Sequence, residues 1–338
     1  MFKLTHIFFL LIILGCAKKN TPAGTPVIPV VQIRIVNVSN PSELKQALLN
    51  ALPGDEIRMA DGVYKGKFVI AASKNGFSFL PIVLKGSRNA ILDAESIHTG
   101  YVLHLQASYW KLTGFTLTNG LKGLMVDGAR NCVVDSIKVY NIGEEGIHLR
   151  KFSSQNIIQN SEISYVGLKT PDYGEGVYIG SAKSNWATYT NGNPDNCDSN
   201  KVINNIIGPG ITAECIDIKE GTTGGLIFGN YFDATGITGA NSGDSWIDVK
   251  GNHYLIEENE GFYPGGSIFK DGYQVHVAYN GWGNYNEFRN NVSNVNAAGY
   301  GFNIQLSGSN GTSTGNKVFN NNIVNGAGSG ISNVPLSN

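Results

Sequence analysis

A short unit that repeats along most of the chain limits the folds open to it. The unit is an apolar residue followed three positions later by Asn or Asp. Its copies are Cys132–Asp135, Ile157–Asn160, Val202–Asn205, Ile227–Asn230, Ile256–Asn259, Phe288–Asn291 and Val318–Asn321. Asparagine side chains favour tight turns and hydrogen-bond to identical neighbours when they stack, so an Asn at one fixed point of each repeat indicates a solenoid.

A second repeated unit, a short strand with alternating apolar residues, lies between these turns. Its predicted inward-facing pairs are Leu103/Leu105, Leu124/Val126, Ile147/Leu149, Val177/Ile179, Ile216/Ile218, Ile247/Val249, Val275/Val277 and Phe302/Ile304. The strand length is constant while the connections between strands vary. This is the pattern of a parallel β-helix, in which successive coils repeat the same short strands and stack on one another.

The composition agrees with an all-β fold. Glycine is frequent, at 43 of 338 residues, and charged residues make up only 15% of the chain, which favours short strands and tight turns over helices. The 25 Lys and Arg residues nearly balance the 26 Asp and Glu residues, so the chain lacks the basic footprint of a nucleic-acid-binding protein. We expect a monomer with no nucleic-acid partner.

The N-terminus has the pattern of an export signal. The apolar run Ile7–Cys16 is too short to span a bilayer, and its last four residues are similar to the bacterial lipobox, in which the cysteine is lipidated. We therefore expect an exported bacterial lipoprotein whose only contact with a membrane is the lipid on Cys16; the alternative is an ordinary cleaved signal peptide. The predicted organisation is a lipoprotein signal peptide over residues 1–16, a tether over 17–33 and a β-helix domain over 34–338.

A helix is predicted immediately before the first coil. Residues Ser42 to Leu52 are amphipathic, and Ser42 is the expected N-cap. Pro53 and Gly54 then turn the chain into the first strand. A helix over the open end of a solenoid covers sheet edges that would otherwise promote aggregation.

Two stretches carry a resemblance to known proteins. Residues 51–66, ALPGDEIRMADGVYKG, resemble the opening coil of right-handed parallel β-helix proteins that act on acidic polysaccharides, the pectate-lyase-like group. The resemblance implies an all-β, single-stranded right-handed parallel β-helix with an N-terminal capping helix. Residues 214–232, ECIDIKEGTTGGLIFGNYF, are similar to the catalytic coil of the chondroitinase B and alginate lyase family, through Glu214, Lys219, Asn230 and Phe232.

The outward face of the predicted strands concentrates charged and polar side chains in adjacent coils. Candidate catalytic residues on this face are His148, Arg150, Asp217, Lys219, Asp248 and Lys250. Candidate substrate-binding residues are Tyr178, His276, Asn303 and Gln305, with Trp186, Tyr189 and Trp282 from two long loops. Such a groove suits a charged, hydroxylated polymer, so we expect an acidic polysaccharide as the partner.

Three glutamates mark the starts of successive strands: Glu145, Glu175 and Glu214. Stacked acids repel one another unless a cation offsets their charge, and oxygen ligands of this kind suit Ca²⁺. In the resembling family the Glu that matches Glu214 binds Ca²⁺. The position of a second Glu of that family holds Thr212 here, and the family's Asn ligand from a preceding coil has no clear match, although Glu175 is placed to stand in for that Asn. Ca²⁺ is therefore the one cofactor expected.

The resemblance implies a polysaccharide lyase that cleaves a uronate polymer by β-elimination. Such an enzyme offsets the uronate carboxylate, removes the proton at C5 and protonates the leaving oxygen at C4. By the resemblance Lys219 is the base. Lys250, which lies where the family carries an Arg, would lower the pKa of Lys219 by like-charge repulsion. Asp217 and Asp248 would oppose this effect by pairing with the lysines.

Three alternatives stay open at this stage. Asp217 and Asp248 on adjacent coils would be close enough for retaining glycoside hydrolysis. A C5-epimerase would share the proton abstraction of a lyase. A non-catalytic glycan-binding surface lipoprotein would instead use the Asp and Lys residues as ion-paired ladders that stabilise neighbouring strands.

Overall fold

In the computed structural model, which describes residues 33–338, the chain winds into stacked coils of three short strands each. Sheet 1 has twelve strands: Ile35–Val38, Glu56–Met59, Ile82–Lys85, Trp110–Thr113, Val133–Asp135, Ile157–Gln159, Lys201–Ile203, Leu226–Phe228, Leu255–Glu257, Glu287–Arg289, Lys317–Phe319 and Leu336–Ser337. Sheet 2 has ten: Gly62–Lys65, Ala90–Asp93, Thr116–Thr118, Lys138–Tyr140, Glu162–Ser164, Ile206–Ile207, Tyr231–Asp233, Glu260–Phe262, Val292–Ala297 and Ile323–Ala327. Sheet 3 also has ten: Phe68–Ile70, Tyr101–Leu105, Lys122–Asp127, Ile147–Arg150, Val177–Ile179, Ile216–Ile218, Ile247–Val249, Tyr273–Val275, Tyr300–Ile304 and Gly330–Ser332.

All strand pairs within these three sheets are parallel, as a β-helix requires; for example, Ile216 lies opposite Val177 on one side and Ile247 on the other. The inward side chains of the three sheets form one continuous core. The predicted fold class is confirmed. The signal peptide and nearly all of the tether lie outside the described residues, and among those described no helix has the length and apolar character needed to cross a membrane.

The predicted inward pairs are correct in seven coils and wrong in one. Tyr273 and Val275, rather than Val275 and Val277, lie opposite Ile247 and Val249. The Tyr273 ring is fully buried and stacks on Phe302 at a centroid distance of 4.9 Å. Alternating residues fit either register, and the burial of the large aromatic ring selects the observed one.

The predicted capping helix is present but starts and ends earlier than expected. It spans Pro41–Leu49, and its N-cap is Asn40, not Ser42, because the Asn40 side chain accepts a hydrogen bond from the Glu43 main-chain N–H. The helix buries Leu44, Ala47 and Leu48 and contacts the first strand of sheet 1 and the first strand of sheet 3. It therefore packs against the first coil. The other helical segments are short: Pro171–Tyr173, Lys183–Asn185, Trp186–Tyr189 and Ala240–Ser242.

A ladder of buried asparagines links the coils at the turn between sheets 1 and 2. Each amide nitrogen donates to the amide oxygen of the next coil, from Asn205 through Asn230, Asn259 and Asn291 to Asn322, at 2.9–3.0 Å. The repeat predicted this ladder, but three of its members were wrong. Strand register places Ser161 rather than Asn160 beside Asn205. An extra residue in the turn makes Asn322 rather than Asn321 the last member of the ladder. Asp135 lies within a strand of sheet 1 and is not part of the ladder.

Loss of a central rung should destabilise the coil stack. The Asn259 side chain donates to Asn291 Oδ1 and Ile227 O, and accepts from the main chain and side chain of Asn230. Because Asn259→Ala leaves buried donors and acceptors unpaired, we expect the free energy of unfolding to fall by about 3 kcal/mol. Urea denaturation measures this loss. Asn325→Ala, which removes an exposed amide–amide bond, is the matched control and should change little; equal effects of the two substitutions would contradict the argument.

Candidate active site

The outward face of sheet 3 places the candidate residues in two rows. Tyr178, Asp217 and Asp248 lie opposite one another on successive strands. Lys219 and Lys250 lie one outward position further along the same strands, where the Lys250 main-chain N–H donates to Ile218 O. Because neighbouring strands are about 4.8 Å apart, these five side chains share one small surface, as predicted.

The lysines and aspartates form one connected network. Asp217 contacts the ammonium group of Lys219 through one oxygen and that of Lys250, at 2.8 Å, through the other. Asp248 bonds to Lys250 at 2.6 Å and to His276 Nδ1 at 2.8 Å. Asp217 and Asp248 are only 2% and 3% exposed, so the charges are compensated within the protein rather than by water.

This network gives the lysines a different ionisation from the one that the resemblance implies. Burial alone would lower the pKa of Lys219, but the charge of Asp217 outweighs it and the pKa is raised. The pKa of Lys250 is raised against burial by Asp217 and Asp248. The expected lowering of the Lys219 pKa by Lys250 is therefore not found, because a carboxylate lies between the two ammonium groups. Both lysines are cations at neutral pH.

The paired carboxylates are poorly suited to hydrolysis. Each oxygen of Asp217 contacts an ammonium group, and the two oxygens of Asp248 contact Lys250 and His276. The pKa of Asp248 is lowered, against burial, by Lys250 and His276. Retaining hydrolysis needs one protonated carboxyl group and one free nucleophile. This pair offers neither.

Glu175 and Glu214 lie next to Asp217 of this network, whereas Glu145 is not part of their cluster. One oxygen each of Glu175, Glu214 and Asp217 lies within 4.8 Å of the others. Glu175 is 1% exposed, and its Oε2 has no hydrogen-bond partner among the described residues. Burial and the charges of Glu145 and Asp217 raise the pKa of Glu175 to about 8; burial and Asp217 raise that of Glu214.

Glu145 is satisfied elsewhere. It contacts Lys122 and lies 3.1 Å from His148 Nδ1. Burial opposes its ionisation, but these two partners lower the pKa of Glu145 to about 2. Its predicted role as a metal ligand is wrong in this arrangement because its carboxylate already has two basic partners. The remaining oxygen set, with one unpartnered buried oxygen, fits Ca²⁺ in ligand type.

Calcium should stabilise the protein through Glu175 and Glu214. At a hundredfold excess over the dissociation constant, a ligand that binds only the folded state adds about 2.7 kcal/mol, so the midpoint of thermal unfolding should rise on adding Ca²⁺ and fall with a chelator. Glu175→Gln should remove the calcium response, while Glu162→Gln on the exposed side of sheet 2 should retain it. An unchanged wild-type midpoint would mean that the two buried glutamates hold protons instead of a cation.

His148 and Arg150 lie upstream of Tyr178, and partners within the protein hold both. His148 Nδ1 faces Glu145, and its Nε2 lies 3.0 Å from Gly180 O, which leaves no free ring nitrogen for proton transfer. Arg150 donates to Asp127 at 2.6 Å and stacks on Tyr189, 4.3 Å from the ring centroid. These side chains shape a pocket beside Tyr178 rather than supply a base; its lining includes Tyr101, Lys122, Tyr173, Ser181 and Tyr189.

Long connections form the walls of the groove, one wall at the N-terminal ends of the sheet 3 strands and one at their C-terminal ends. The segments 167–176 and 234–246 precede their strands, and they meet where Asn241 donates to Asp172 O at 3.3 Å. The segments 180–200 and 276–286 follow their strands and, because the strands are parallel, lie together at the C-terminal ends. They meet where the rings of Trp186 and Tyr279 pack edge to face at 5.6 Å.

Trp186 belongs to this wall and is not open to a sugar. Its side chain is 5% exposed, and its indole N–H donates to Ser181 O at 2.9 Å. The prediction that it stacks on substrate is therefore wrong: its ring fills the contact between the two loops. Tyr189 does line the pocket, and Trp282, in the second loop, is partly exposed.

The downstream end of the groove differs from the prediction by one register step. Gln274, which the sequence interpretation missed, lies opposite Asp248 and Asn303. His276 therefore follows Lys250 in the outer row, and Gln305 follows His276. The predicted residues His276, Asn303 and Gln305 do share a pocket. The signal that could have revealed Gln274 was the aromatic Tyr273 one position earlier.

The fold of this protein is shared with known right-handed β-helix proteins. Residues 35–176 match the model of the Pel9A-like right-handed β-helix region, and the pectate lyase Pel9A has the same fold, with a TM-score of 0.59 and 14% identity over 86% of this chain and 78% of that chain. A surface protein and adhesin of Streptococcus pneumoniae, PfbA, also shares the fold, with a TM-score of 0.58 and 12% identity over 86% of this chain and 80% of that chain. No curated protein matches the chain in sequence.

One solved structure is much more similar. An alginate lyase from Paenibacillus sp. str. FPU-7 is 40% identical over 89% of this chain and 99% of that chain, with a TM-score of 0.79. The chain belongs to the family of right-handed β-helix polysaccharide lyases that contains this enzyme.

Proposed function

We propose that this protein cleaves a uronate polysaccharide by β-elimination, with alginate as the first candidate substrate. The observation that carries the proposal is the cluster of two lysine cations and one tyrosine hydroxyl on the floor of a walled groove. A uronate brings a carboxylate that must be neutralised before C5 becomes acidic enough to lose its proton. Similarity to the Paenibacillus alginate lyase supports the choice of polymer.

The polymer is proposed to lie across the strands, parallel to the axis of the β-helix. The walls stand at the two ends of the sheet 3 strands, so the groove is open along the axis of the β-helix. Neighbouring strands are about 4.8 Å apart, close to the length of one pyranose ring, so each coil would meet about one sugar. Lys219 would then face the C5 proton of the reacting sugar, and Lys250, on the next strand, would offset the carboxylate of that same sugar.

Tyr178 is the proposed proton donor to the leaving oxygen. Burial and the charge of Asp217 raise its pKa well above the ordinary value, so the hydroxyl keeps its proton at neutral pH. The Lys219 ammonium lies 4.9 Å from the Tyr178 ring centroid. The two groups are close enough to act on C5 and on O4, which are both attached to C4 of the reacting sugar.

Lys219 is the proposed base, and Asp217 prepares it. When substrate excludes water, the Lys219 ammonium passes a proton to Asp217, because loss of water favours the neutral forms of a buried pair. The free amine takes the C5 proton, the electron pair forms the C4–C5 double bond, and the C4–O4 bond breaks as Tyr178 protonates O4. Asp217 then returns its proton to the Tyr178 phenolate, which restores the starting state. A bound Ca²⁺ at Glu175 and Glu214 would supply further positive charge for the uronate carboxylate.

The test is a panel of uronate polymers: alginate, pectate, glucuronan, and chondroitin and dermatan sulfates. Elimination alone creates an unsaturated uronate, which ultraviolet absorbance detects. We expect the absorbance to rise with alginate. New reducing ends without absorbance would indicate a hydrolase, and altered C5 configuration without cleavage would indicate an epimerase. Binding of a polymer without any of these chemical changes would indicate a glycan-binding protein that is not an enzyme.

We further propose that this activity acts outside the cytoplasm, at a membrane. The proposal depends on the lipobox-like sequence that ends at Cys16. Metabolic labelling with a fatty-acid analogue tests it: Cys16→Ser should lose the label and leave the membrane fraction.

A further inference from the structure

The outer row of the groove continues beyond Lys250 to a histidine. The His276 main-chain N–H donates to Val249 O, and that of Gln305 to Val275 O, so Lys250, His276 and Gln305 occupy successive strands. Their spacing is the strand spacing of about 4.8 Å. His276 therefore meets the polymer one sugar beyond Lys250.

His276 is held at one ring nitrogen only. Its Nδ1 lies 2.8 Å from Asp248 Oδ1, and the side chain is 39% exposed. Among residues 33–338, Nε2 has no hydrogen-bond partner. The ring lines a polar pocket with Asn303, Gln305 and Ser307. Gln305 accepts a hydrogen bond at Oε1 from the Val277 main chain at 2.8 Å, which leaves its amide N–H groups for a ligand.

The hydrogen bond to Asp248 decides what His276 can offer. Nδ1 must donate to this carboxylate, so Nε2 is an acceptor in the neutral ring and a donor only in the imidazolium. The charged groups around the ring are Asp248, Lys250 and Asp244, while the facing strand brings the neutral Asn303 and Gln305. The charge of Asp248 raises the pKa of His276, against burial and Lys250.

We propose that His276 and Gln305 form an anion subsite for the carboxylate of the uronate one residue beyond Lys250, and that the subsite works only while His276 is an imidazolium. The inference rests on the proposed function, since a uronate polymer supplies one carboxylate per sugar. It assigns His276 to substrate binding and not to proton transfer. Affinity for the polymer should therefore fall as the pH rises through the titration of His276.

The test compares the wild type with His276→Gln across a pH series, with KM and kcat for alginate read separately. We expect the ratio of the variant KM to the wild-type KM to be about tenfold near pH 6, which corresponds to about 1.4 kcal/mol, and to approach one near pH 9. The ratio of kcat values should stay near one. His253→Gln, which changes an exposed histidine stacked on Tyr285 outside the groove, should leave both ratios at one.

Two results would overturn the subsite. A KM ratio that does not change with pH would show that charge on His276 is irrelevant, and a loss confined to kcat that is largest at alkaline pH, where the ring is neutral, would make His276 a base. Calorimetry with alginate oligomers on Lys219→Ala and on Lys219→Ala/His276→Gln repeats the comparison without turnover. If the wild type forms no unsaturated product but the oligomers still bind with this pH dependence, the proposed function fails and the subsite stands.

Discussion

Replacing Lys219 with alanine should reduce turnover of the uronate polymer by at least about a thousandfold, within the range that positioned acid–base groups contribute. The expected loss falls on kcat and kcat/KM alike, because the free amine of Lys219 removes the C5 proton in the transition state and does not serve to bind the polymer. Initial rates of ultraviolet absorbance measure it. The fold should persist, since Lys219 lies on the outward face of sheet 3 and contributes nothing to the apolar core.

The matched control for Lys219→Ala is Lys85→Ala. Lys85 also ends a strand and pairs with an acid, Glu56, at 2.7 Å, but it belongs to sheet 1 and is 42% exposed. Its removal should leave the rate unchanged. If Lys219→Ala kept more than a tenth of wild-type activity, Lys219 would be an ion-pair residue, and the proton transfer would have to involve Tyr178 without it. That outcome would also favour the ladder interpretation of the Asp and Lys residues.

Asp217→Asn is expected to cause the largest loss of stability among substitutions on the groove floor. Asp217 is the counterion for two ammonium groups that are 11% and 14% exposed, Lys219 and Lys250. Removing one partner of a buried ion pair costs about 3–5 kcal/mol, because it leaves charge without compensation in a site that water hardly reaches. The midpoint of urea denaturation should fall accordingly, with the slope unchanged.

Two further variants separate charge from packing. Glu287→Gln removes one partner of the pair with Lys317, whose side chains are 34% and 52% exposed, and should cost less than about 1 kcal/mol. The double variant Asp217→Asn/Lys219→Met removes one stranded charge with its counterion and should recover part of the stability. No recovery would mean that Asp217 stabilises the fold through its shape and hydrogen bonds instead.

The architecture was predictable because one apolar alternation recurs at every coil. A strand such as Ile216–Ile218 cannot bury both isoleucines without turning Asp217 outward, so the sequence determines which side chains share a face. The sequence does not determine the strand register where two sets of alternating residues, offset by two positions, could both face inward. The segment Tyr273 to Val277 is such a case, and only the packing of the Tyr273 ring against Phe302 settles it.

The sequence predicted which residues lie together in the candidate site, but not which ion pairs they form. Lys219, Lys250, Asp217 and Asp248 lie together as expected, because strands of equal length stack in register. Which oxygen meets which ammonium depends on rotamers, and the pKa of Lys219 depends on that choice. Trp186 shows the limit for loops: its burial depends on Tyr279, a residue of a different connection, and no local pattern reports such a contact.

The asparagine ladder has a consequence beyond its hydrogen bonds. Every amide in it points the same way, with its nitrogen toward the next coil and its oxygen toward the previous one. Aligned amide dipoles polarise one another, so each bond strengthens its neighbours. An interruption at Asn259 would divide one long polarised column into two short ones, whereas a change at Asn322 would only trim its end. The tolerance of this protein to substitution should therefore vary with the distance of a coil from the centre of the column.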